Sequence, residues 1–469
     1  MKFLAVLSLL FSTAIVALAL PSTPDKRAAA SSWPHGPFST RGGDIVNANG
    51  QKVIFAGTNW PMSGESMLPE GLEYQPLSAI VGRLKEAGFN FVRHTYAIQM
   101  IDEIYANNGR DVTLRDTMVH ALGEANGTRV TNDIIKHNPQ WTAQTTRLQI
   151  LADVAKAEAQ AGILMHLDNH ISVAQWCCGA TDGNGWFGDR DFDVAKWHRG
   201  LQYMAKWAKG HANVQTISLR NELRKSKLDD SLEYSWVNWW NHVREAAELV
   251  HAANPDLVIT LSGLDYDIDL SAVTTQADLR TAPSTDSALM KPKTTSSKPV
   301  IADIKSTSFG KANKAVLELH AYKQSDFYSE NGHLNDCPLL EAAFYRFGFN
   351  AVGMSPPAAC RSDKWEEPYG CPRPKINLPV LLTEFGDAID SNYKSVTLQK
   401  CLRDWTTKNK IGWAQWSLAG SYRIREGKQQ FEDTWGLTTK DWSAWRSTDA
   451  MENFFKPWVR DMGRTNLEL

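Results

Sequence analysis

Short apolar runs of seven or eight residues alternate with longer amphipathic stretches along most of the chain. The runs are Val53–Asn59, Phe89–Thr95, Gly162–Asn169, Val214–Asn221, Leu257–Gly263, Ala315–Ala321, Pro379–Phe385 and Gly412–Leu418. They lack strict apolar–polar alternation, as strands buried on both faces should. Between them, Leu77–Ala87, Thr142–Ala161, Ala195–Gly210, Trp236–Ala253 and Val396–Lys408 carry helical periodicity. Eight strands alternating with helices predict an α/β chain folded as a (β/α)8 TIM barrel. An open doubly wound sheet is the competing arrangement, but it opens with a glycine-rich phosphate loop after its first strand. Here that strand runs into Asn59-Trp60-Pro61.

Ahead of the barrel, Phe38–Val53 reads as a hairpin turning at Asn49-Gly50, placed to plug the barrel floor. A minimal barrel needs about 250 residues, so the surplus falls in long excursions after the second strand (Tyr96 to Gln140), the fifth (Leu264 to Lys314) and the sixth (Tyr322 to Leu378). The fifth-strand excursion includes a polar stretch, Thr281–Pro299. Residues 1–19 are an apolar leader ending in Ala17-Leu18-Ala19, the pattern of a secretory signal. Residues 20–27 end in the dibasic pair Lys26-Arg27, which reads as a propeptide cleavage site. Residues 28–469 are expected to form one heavily decorated barrel domain.

Composition narrows the function. With 50 Lys+Arg against 52 Asp+Glu and 43% hydrophobic residues, the 469-residue chain is neither disordered nor broadly basic, which argues against a nucleic-acid partner. No later segment offers 18 uncharged apolar residues, so no membrane anchor is expected and the product is read as secreted and monomeric. Six cysteines (Cys177, Cys178, Cys337, Cys360, Cys371, Cys401) fit an oxidising compartment, with 15 possible connectivities. The adjacent pair is expected to take separate partners, because joining them closes a strained ring. A zinc site is disfavoured by the absence of C-x2-C pairs. Asn126-Gly127-Thr128 is a single glycosylation sequon. The unusual number is 18 tryptophans, a residue suited both to cores and to stacking on flat ligands.

Catalytic groups of a barrel gather at the C-terminal strand ends. Those ends carry Asn59-Trp60, Arg93-His94, Asp168-Asn169-His170, Asn221-Glu222, His320-Ala321-Tyr322, Glu384-Phe385 and Trp416. A carboxylate at the mouth of a buried strand is costly unless paired or functional. Two of them, Glu222 and Glu384, facing each other beside Arg93, two histidines and Tyr322 are what glycosidic bond cleavage requires. One carboxyl must be protonated for the leaving oxygen and the other ionised to attack the anomeric carbon. Trp60, Trp176, Trp186, Trp416 and Trp435 fall at strand ends or mouth loops, where they could stack on sugar. Trp239-Trp240, Trp442 and Trp445 sit in helical stretches and read as packing residues. His166 and His170 lie four apart, about 13 Å along a strand, too far to share one ion, so His166 reads as core and no metal or cofactor is expected.

The segments Ser218-Leu219-Arg220-Asn221-Glu222 and Leu382-Thr383-Glu384-Phe385-Gly386 resemble glycoside hydrolase family 5, the cellulase-like retaining glycosidases. Trp176-Cys177-Cys178, Asp182–Trp186 and Ser218–Arg224 are similar to a plant and fungal branch of it. The resemblance implies Glu222 as acid/base and Glu384 as nucleophile, with Arg93 beside the nucleophile. It further implies Asn221 on the sugar 2-hydroxyl, His170 lining the glycone site, His320 and Tyr322 orienting the carboxylates, and Trp416 beneath the sugar. The retaining mechanism calls for carboxyl groups about 5–5.5 Å apart. Two departures, Leu223-Arg224 where proline is usual and His94-Thr95 where Ile-Pro is common, are expected to alter the subsite lining. The expected activity is endoglucanase- or cellulase-like hydrolysis of a β-linked glucan or related glycoside, the partner being an oligo- or polysaccharide or glycoside substrate. The sugar, the linkage and endo against exo action stay open. A catalytically silent carbohydrate-binding or effector protein on the same barrel is the alternative; two intact carboxylates favour the enzyme.

Overall fold

Each of the eight apolar runs supplies a parallel strand of one closed barrel in the computed structural model, which describes residues 36–282, 298–323, 335–365, 367, 370–390 and 392–463. The strands are β4 (Ala56–Trp60), β5 (Phe91–Ala97), β6 (Leu164–Ile171), β7 (Val214–Ser218), β8 (Val258–Ser262), β9 (Ala315–Ala321), β10 (Val380–Phe385) and β11 (Gly412–Gln415). They follow one another in chain order around the barrel, and β11 closes on β4 through Trp413–Ala56, Ala414–Gly57 and Gln415–Thr58. Every residue of these strands is buried, which explains the missing alternation in their sequences.

The helices follow from their caps as well as their periodicity. Thr146 and Gln149 form a reciprocal capping box, so the helix Arg147–Ala161 starts later than Thr142. Asp193 caps Val194–Ala208 and Ser235 caps Trp236–Ala253, each side chain accepting a backbone N–H of the first turn. The excursion after β5 is largely helical, in Gln99–Ala106, Leu114–Leu122 and Glu124–His137.

The floor is plugged as expected, by a three-stranded sheet rather than a simple hairpin: β1 (Ser39–Arg41), β2 (Asp44–Val46) and β3 (Lys52–Val53). Gly50, at φ +73°, closes the β2–β3 turn by donating its N–H to the Asn47 carbonyl (2.9 Å). From this sheet Phe38, Ile45 and Val53 pack on Phe55, Phe91, Leu164, Val258, Val316, Leu381 and Ala414, a small core apart from the main one. A second pair of strands, β12 (Ser421–Arg425) and β13 (Lys428–Glu432), follows β11 and stands at the barrel mouth; its short, mostly polar sequence gave no strand signal.

Two expectations change. Cys177 and Cys178 are bonded to each other, across a cis peptide that brings their Cα atoms to 3.1 Å. The other four cysteines are already matched as Cys337–Cys401 and Cys360–Cys371, which leaves the adjacent pair no separate partners. The sixth-strand excursion is therefore stapled once internally and once to the helix Thr397–Asn409. Trp442 and Trp445 lie in turns rather than helices, although Trp442 is fully buried. The leader 1–19, the propeptide 20–27 and most of Thr281–Pro299 fall outside the described residues. Among the described residues no helix is long and apolar enough to cross a membrane.

Phe38 is fully buried, its ring 5.8 Å from that of Phe55. Phe38→Ala should cost about 3–5 kcal/mol of stability, read from urea unfolding, with kcat per folded molecule unchanged because the floor is remote from the mouth.

Candidate active site

Side chains alternate across a strand, so every second residue of β5, β6 and β9 points into the barrel. This periodicity brings Arg93, then His166, Asp168 and His170, then Glu318 and His320 inward. It turns His94 outward, where it is fully buried and meets Glu158 of the helix Arg147–Ala161 at 2.8 Å. His94 therefore packs the barrel wall and does not line a subsite, contrary to the sequence expectation. His166 is a core residue, its Nδ1 2.8 Å from the Thr216 hydroxyl.

Arg93 organises the mouth. Its guanidinium, with no solvent exposure, donates to Asn59 Oδ1 (3.0 Å) and Asn221 Oδ1 (2.8 Å), lies 3.1 Å from Asp168 and pairs closely with Glu384 Oε1. Tyr322 donates its hydroxyl to the other oxygen of Glu384 at 3.0 Å. Glu384 is thus held by a cation on one side and a phenol on the other.

Glu222 stands four residues past the end of β7. Its backbone is in the left-handed region, φ +46°, which non-glycine residues rarely adopt. Two contacts hold it there: its N–H donates to Asp267 Oδ2 (2.9 Å) and its carbonyl accepts from Arg224 (2.7 Å). Asp267 is itself the last of three consecutive left-handed residues, Asp265, Tyr266 and Asp267, at φ 53°, 59° and 60°. Arg224 is anchored by Asp182 (2.5 Å), which also accepts the N–H groups of Gly179 (3.0 Å) and Asn184 (2.9 Å). The Asp182–Trp186 segment therefore braces the acid's loop; Leu223-Arg224 buttresses Glu222 from behind.

Glu222 Oε1 meets His320 Nδ1 at 3.0 Å, and that nitrogen lies 3.9 Å from Glu384 Oε2. One oxygen of Glu222, one of Glu384 and the His320 nitrogen all fall within 4.8 Å of one another. The two carboxyl side chains, 13% and 6% exposed, still open to the mouth. Burial raises the pKa of Glu222 despite the pull of Arg224 and His170. Burial also lowers His320 and His170 to about 4, so both rings are neutral near neutral pH. His170 bonds Asp168 through Nδ1 (2.7 Å) and stacks on the Trp416 indole, with centroids 5.5 Å apart and planes 10° from parallel. Asn221 reaches the adjacent disulfide, its Nδ2 3.4 Å from Cys178 Sγ.

The donor atoms of His170, Cys177 and Cys178 also lie within 4.8 Å of one another, but both sulfurs are consumed in the disulfide and offer no thiolate. Around Glu222, His320 and Glu384, the guanidinium of Arg93 already supplies the positive charge a metal would bring. The set suits proton transfer and nucleophilic attack better than ion binding.

The tryptophans divide sharply. Trp416 faces the site, Trp176 stands 6.2 Å from it and Trp435 lies 5.9 Å from Tyr322. Trp60 and Trp186 do not reach the mouth. Trp60 is fully buried, donating its Nε1–H to the Glu70 carbonyl (2.9 Å). Trp186 is packed between Phe187 and Tyr234 and donates to the Glu233 carbonyl (3.0 Å). A position near a strand end does not say which way the indole turns.

Sequence reasoning also missed Asp267 and Glu318. A glutamate inside the apolar run Ala315–Ala321 was itself a signal: Glu318 is fully buried, accepting the hydroxyls of Ser218 and Thr260 (2.7 Å to the latter). Asp267 carried no such mark.

The sequence model of the cellulase family, glycosyl hydrolase family 5, matches residues 46–421, most of the chain. This chain belongs to that family. A "Glycosyl hydrolase 5 family protein" of Chamaecyparis obtusa is 30% identical over 420 residues, an alignment covering 88% of this chain and 64% of the relative. The chain thus spans under two thirds of that relative's length. An "Endoglucanase" of Paenibacillus polymyxa is 21% identical, over 90% of this chain and 88% of its own. Among solved structures, an endocellulase of Pyrococcus horikoshii in complex with cellotetraose superposes with a TM-score of 0.60 at 16% identity, covering 91% of this chain and 98% of its own. The catalytic domain of the major endoglucanase of Xanthomonas campestris gives 0.59 at 17% identity, covering 91% and 99%. At such identities the structural likeness establishes the barrel, as family 5 membership leads one to expect.

A raised Glu222 pKa means the folded chain keeps a proton that the unfolded chain loses. The associated stability is complete below the unfolded pKa and declines as pH rises through the folded one. Glu222→Gln removes this term, so its Tm should exceed wild type by a margin that widens from about pH 4.5 upward and then levels. Calorimetry of both proteins across pH 4–9 checks the sign.

Proposed function

We propose that this family 5 protein is a secreted, retaining β-glycosidase, cellulase-like in mechanism, that hydrolyses a β-linked glucan or a related glycoside by double displacement. The observation that carries the proposal is the pairing of Glu222 and Glu384 across the barrel mouth, with carboxyl oxygens within 4.8 Å. A gap of that order suits direct attack by one carboxylate and leaves no room for the water that an inverting pair, about 6.5–9.5 Å apart, must hold between them.

In the first step the ionised Glu384 attacks the anomeric carbon while Glu222 gives its proton to the leaving oxygen. Arg93 and Tyr322 hold the nucleophile in place, one on each carboxylate oxygen. Forming the glycosyl ester removes the negative charge of Glu384, which lowers the proton affinity of Glu222 and lets it act as base toward water in the second step. Neutral His320, bonded to Glu222, fixes the acid's orientation without competing for its proton. Asn221, pinned by Arg93, presents its amide to the sugar 2-hydroxyl, and Trp416 with His170 forms a flat wall against the ring. The apolar leader, the dibasic pair and three disulfides support export to an oxidising compartment.

Glu384→Gly should lower kcat by roughly 10⁴-fold or more while leaving sugar binding, measured by calorimetric titration, within a few-fold. Product NMR of the wild type should show the β-anomer first. An α-anomer first would exclude double displacement. No turnover by wild type on any β-glucan, mannan or aryl glycoside would favour the silent binding protein.

A further inference from the structure

Beside Trp416 a recess opens whose Glu70, Tyr422 and Ile424 walls the two-step chemistry leaves unused. Glu70, His170, Trp176, Trp416, Tyr422 and Ile424 are among its lining residues. It is continuous with the catalytic cluster, since His170 Nδ1 is 3.9 Å from Glu384 Oε1. Its walls come from the segment after β4, the loop after β6 and the β12–β13 pair. The Trp176 ring stands edge-on to Trp416 (6.2 Å) and Tyr422 (5.3 Å), with the Arg425 guanidinium 3.4 Å from its centroid. The aromatic side is therefore clamped in place. The recess has a volume of about 20 Å³. That accommodates a group the size of a water or hydroxymethyl, and no second pyranose ring.

Glu70 gives the recess its chemistry. It is 3% exposed. Its Oε2 accepts the Arg423 backbone N–H (3.0 Å) and lies 3.5 Å from the Arg423 guanidinium. That guanidinium is already matched by Glu73 (2.7 Å) and by the carbonyls of Leu68 (3.0 Å) and Pro69 (2.8 Å), so it does not need Glu70 as its counter-ion. Glu70 Oε1 takes no hydrogen bond from the described residues. One oxygen of the carboxyl is thus fixed on Arg423 and the other is left for solvent or a ligand hydroxyl. Burial pushes it up to about 8, with Glu73 beside it adding to the effect and Arg423 opposing it. In either protonation state it can bond a sugar hydroxyl, which both donates and accepts.

We propose that this recess is the end wall of the glycone site: Glu70 Oε1 bonds a hydroxyl or hydroxymethyl of a single terminal sugar, and the enzyme therefore cleaves from the non-reducing end. This rests on the glycosidase reading above. The aromatic wall covers the C–H face of the ring while the carboxyl reads a hydroxyl remote from the scissile bond. A chain continuing past that hydroxyl meets Glu70, Tyr422 and Ile424.

The test uses the full-length secreted enzyme on β-glucan oligosaccharides labelled at the reducing end. The first labelled product should be one sugar shorter than the substrate, with unlabelled monosaccharide released. Labelled di- or trisaccharides appearing first from a pentasaccharide would overturn terminal cleavage while leaving the glycosidase reading intact. Absence of hydrolysis of every glycoside, aryl glycosides included, would overturn both. On an aryl β-glycoside, Glu70→Ala should lower kcat/KM roughly 10- to 100-fold, with Glu70→Gln losing less. With the 4- or 6-deoxy substrate, wild type should fall to the level of the variant. An unchanged kcat/KM in a Glu70→Ala protein that unfolds cooperatively would overturn the role of Glu70. Should that variant fail to fold, the deoxy series on wild type decides, and no loss at either position overturns the proposal.

Discussion

A guanidinium buried without solvent at the centre of the barrel mouth is the constraint on which the site depends. Arg93 must be matched by acceptors, and the barrel supplies them from four directions: Asn59 on β4, Asp168 on β6, Asn221 beyond β7 and Glu384 on β10. Burying such a cation unpaired would be prohibitive. The strands that close the barrel are thereby the strands that assemble the chemistry. Glu384, the nucleophile in the proposed mechanism, is half of the Arg93–Glu384 pair, so the stability of the mouth and its proposed reactivity share one contact.

The carboxyls around Arg93 outnumber the charge it can neutralise. Burial raises Asp168 to about 6 and pushes Asp267, Glu318 and Glu222 upward as well. Burial thus favours the protonated forms of these carboxyls, Glu222 among them. Glu384 is distinguished by its direct contacts with Arg93 and Tyr322. Two glutamates of identical chemistry thus sit in different surroundings. The strained backbone at Glu222 and at Asp265–Asp267 is part of that separation, because it aims the Glu222 carboxyl at His320 rather than into the arginine.

The fold was legible because buried parallel strands and their covering helices impose two periodicities, and the missing glycine-rich loop after the first strand favoured the closed barrel over the open sheet. The meeting of Glu222 and Glu384 at the mouth was legible for a related reason: a carboxylate at or just past the end of an apolar strand has few purposes. Trp60 and Trp186 show where this logic stops. Both stand where a mouth residue would, yet each turns its indole into the wall and donates its N–H to a backbone carbonyl. Cys177–Cys178 shows it again, since the partners of the other four cysteines were settled by distances across the sixth-strand excursion.

By itself, the sequence determined the order of the barrel strands, that a β-turn segment precedes them, and the residues with chemistry to offer at the strand ends. These depend on local periodicity and on the cost of burying charge, both written in one dimension. The tertiary structure alone decided which indoles face the mouth, that Asp267 and Arg224 hold Glu222 in place, and that Glu70 lines the recess beside Trp416. Those depend on side-chain direction and on contacts between residues as much as 353 positions apart, such as Glu70 and Arg423. Such contacts arise only when the barrel closes.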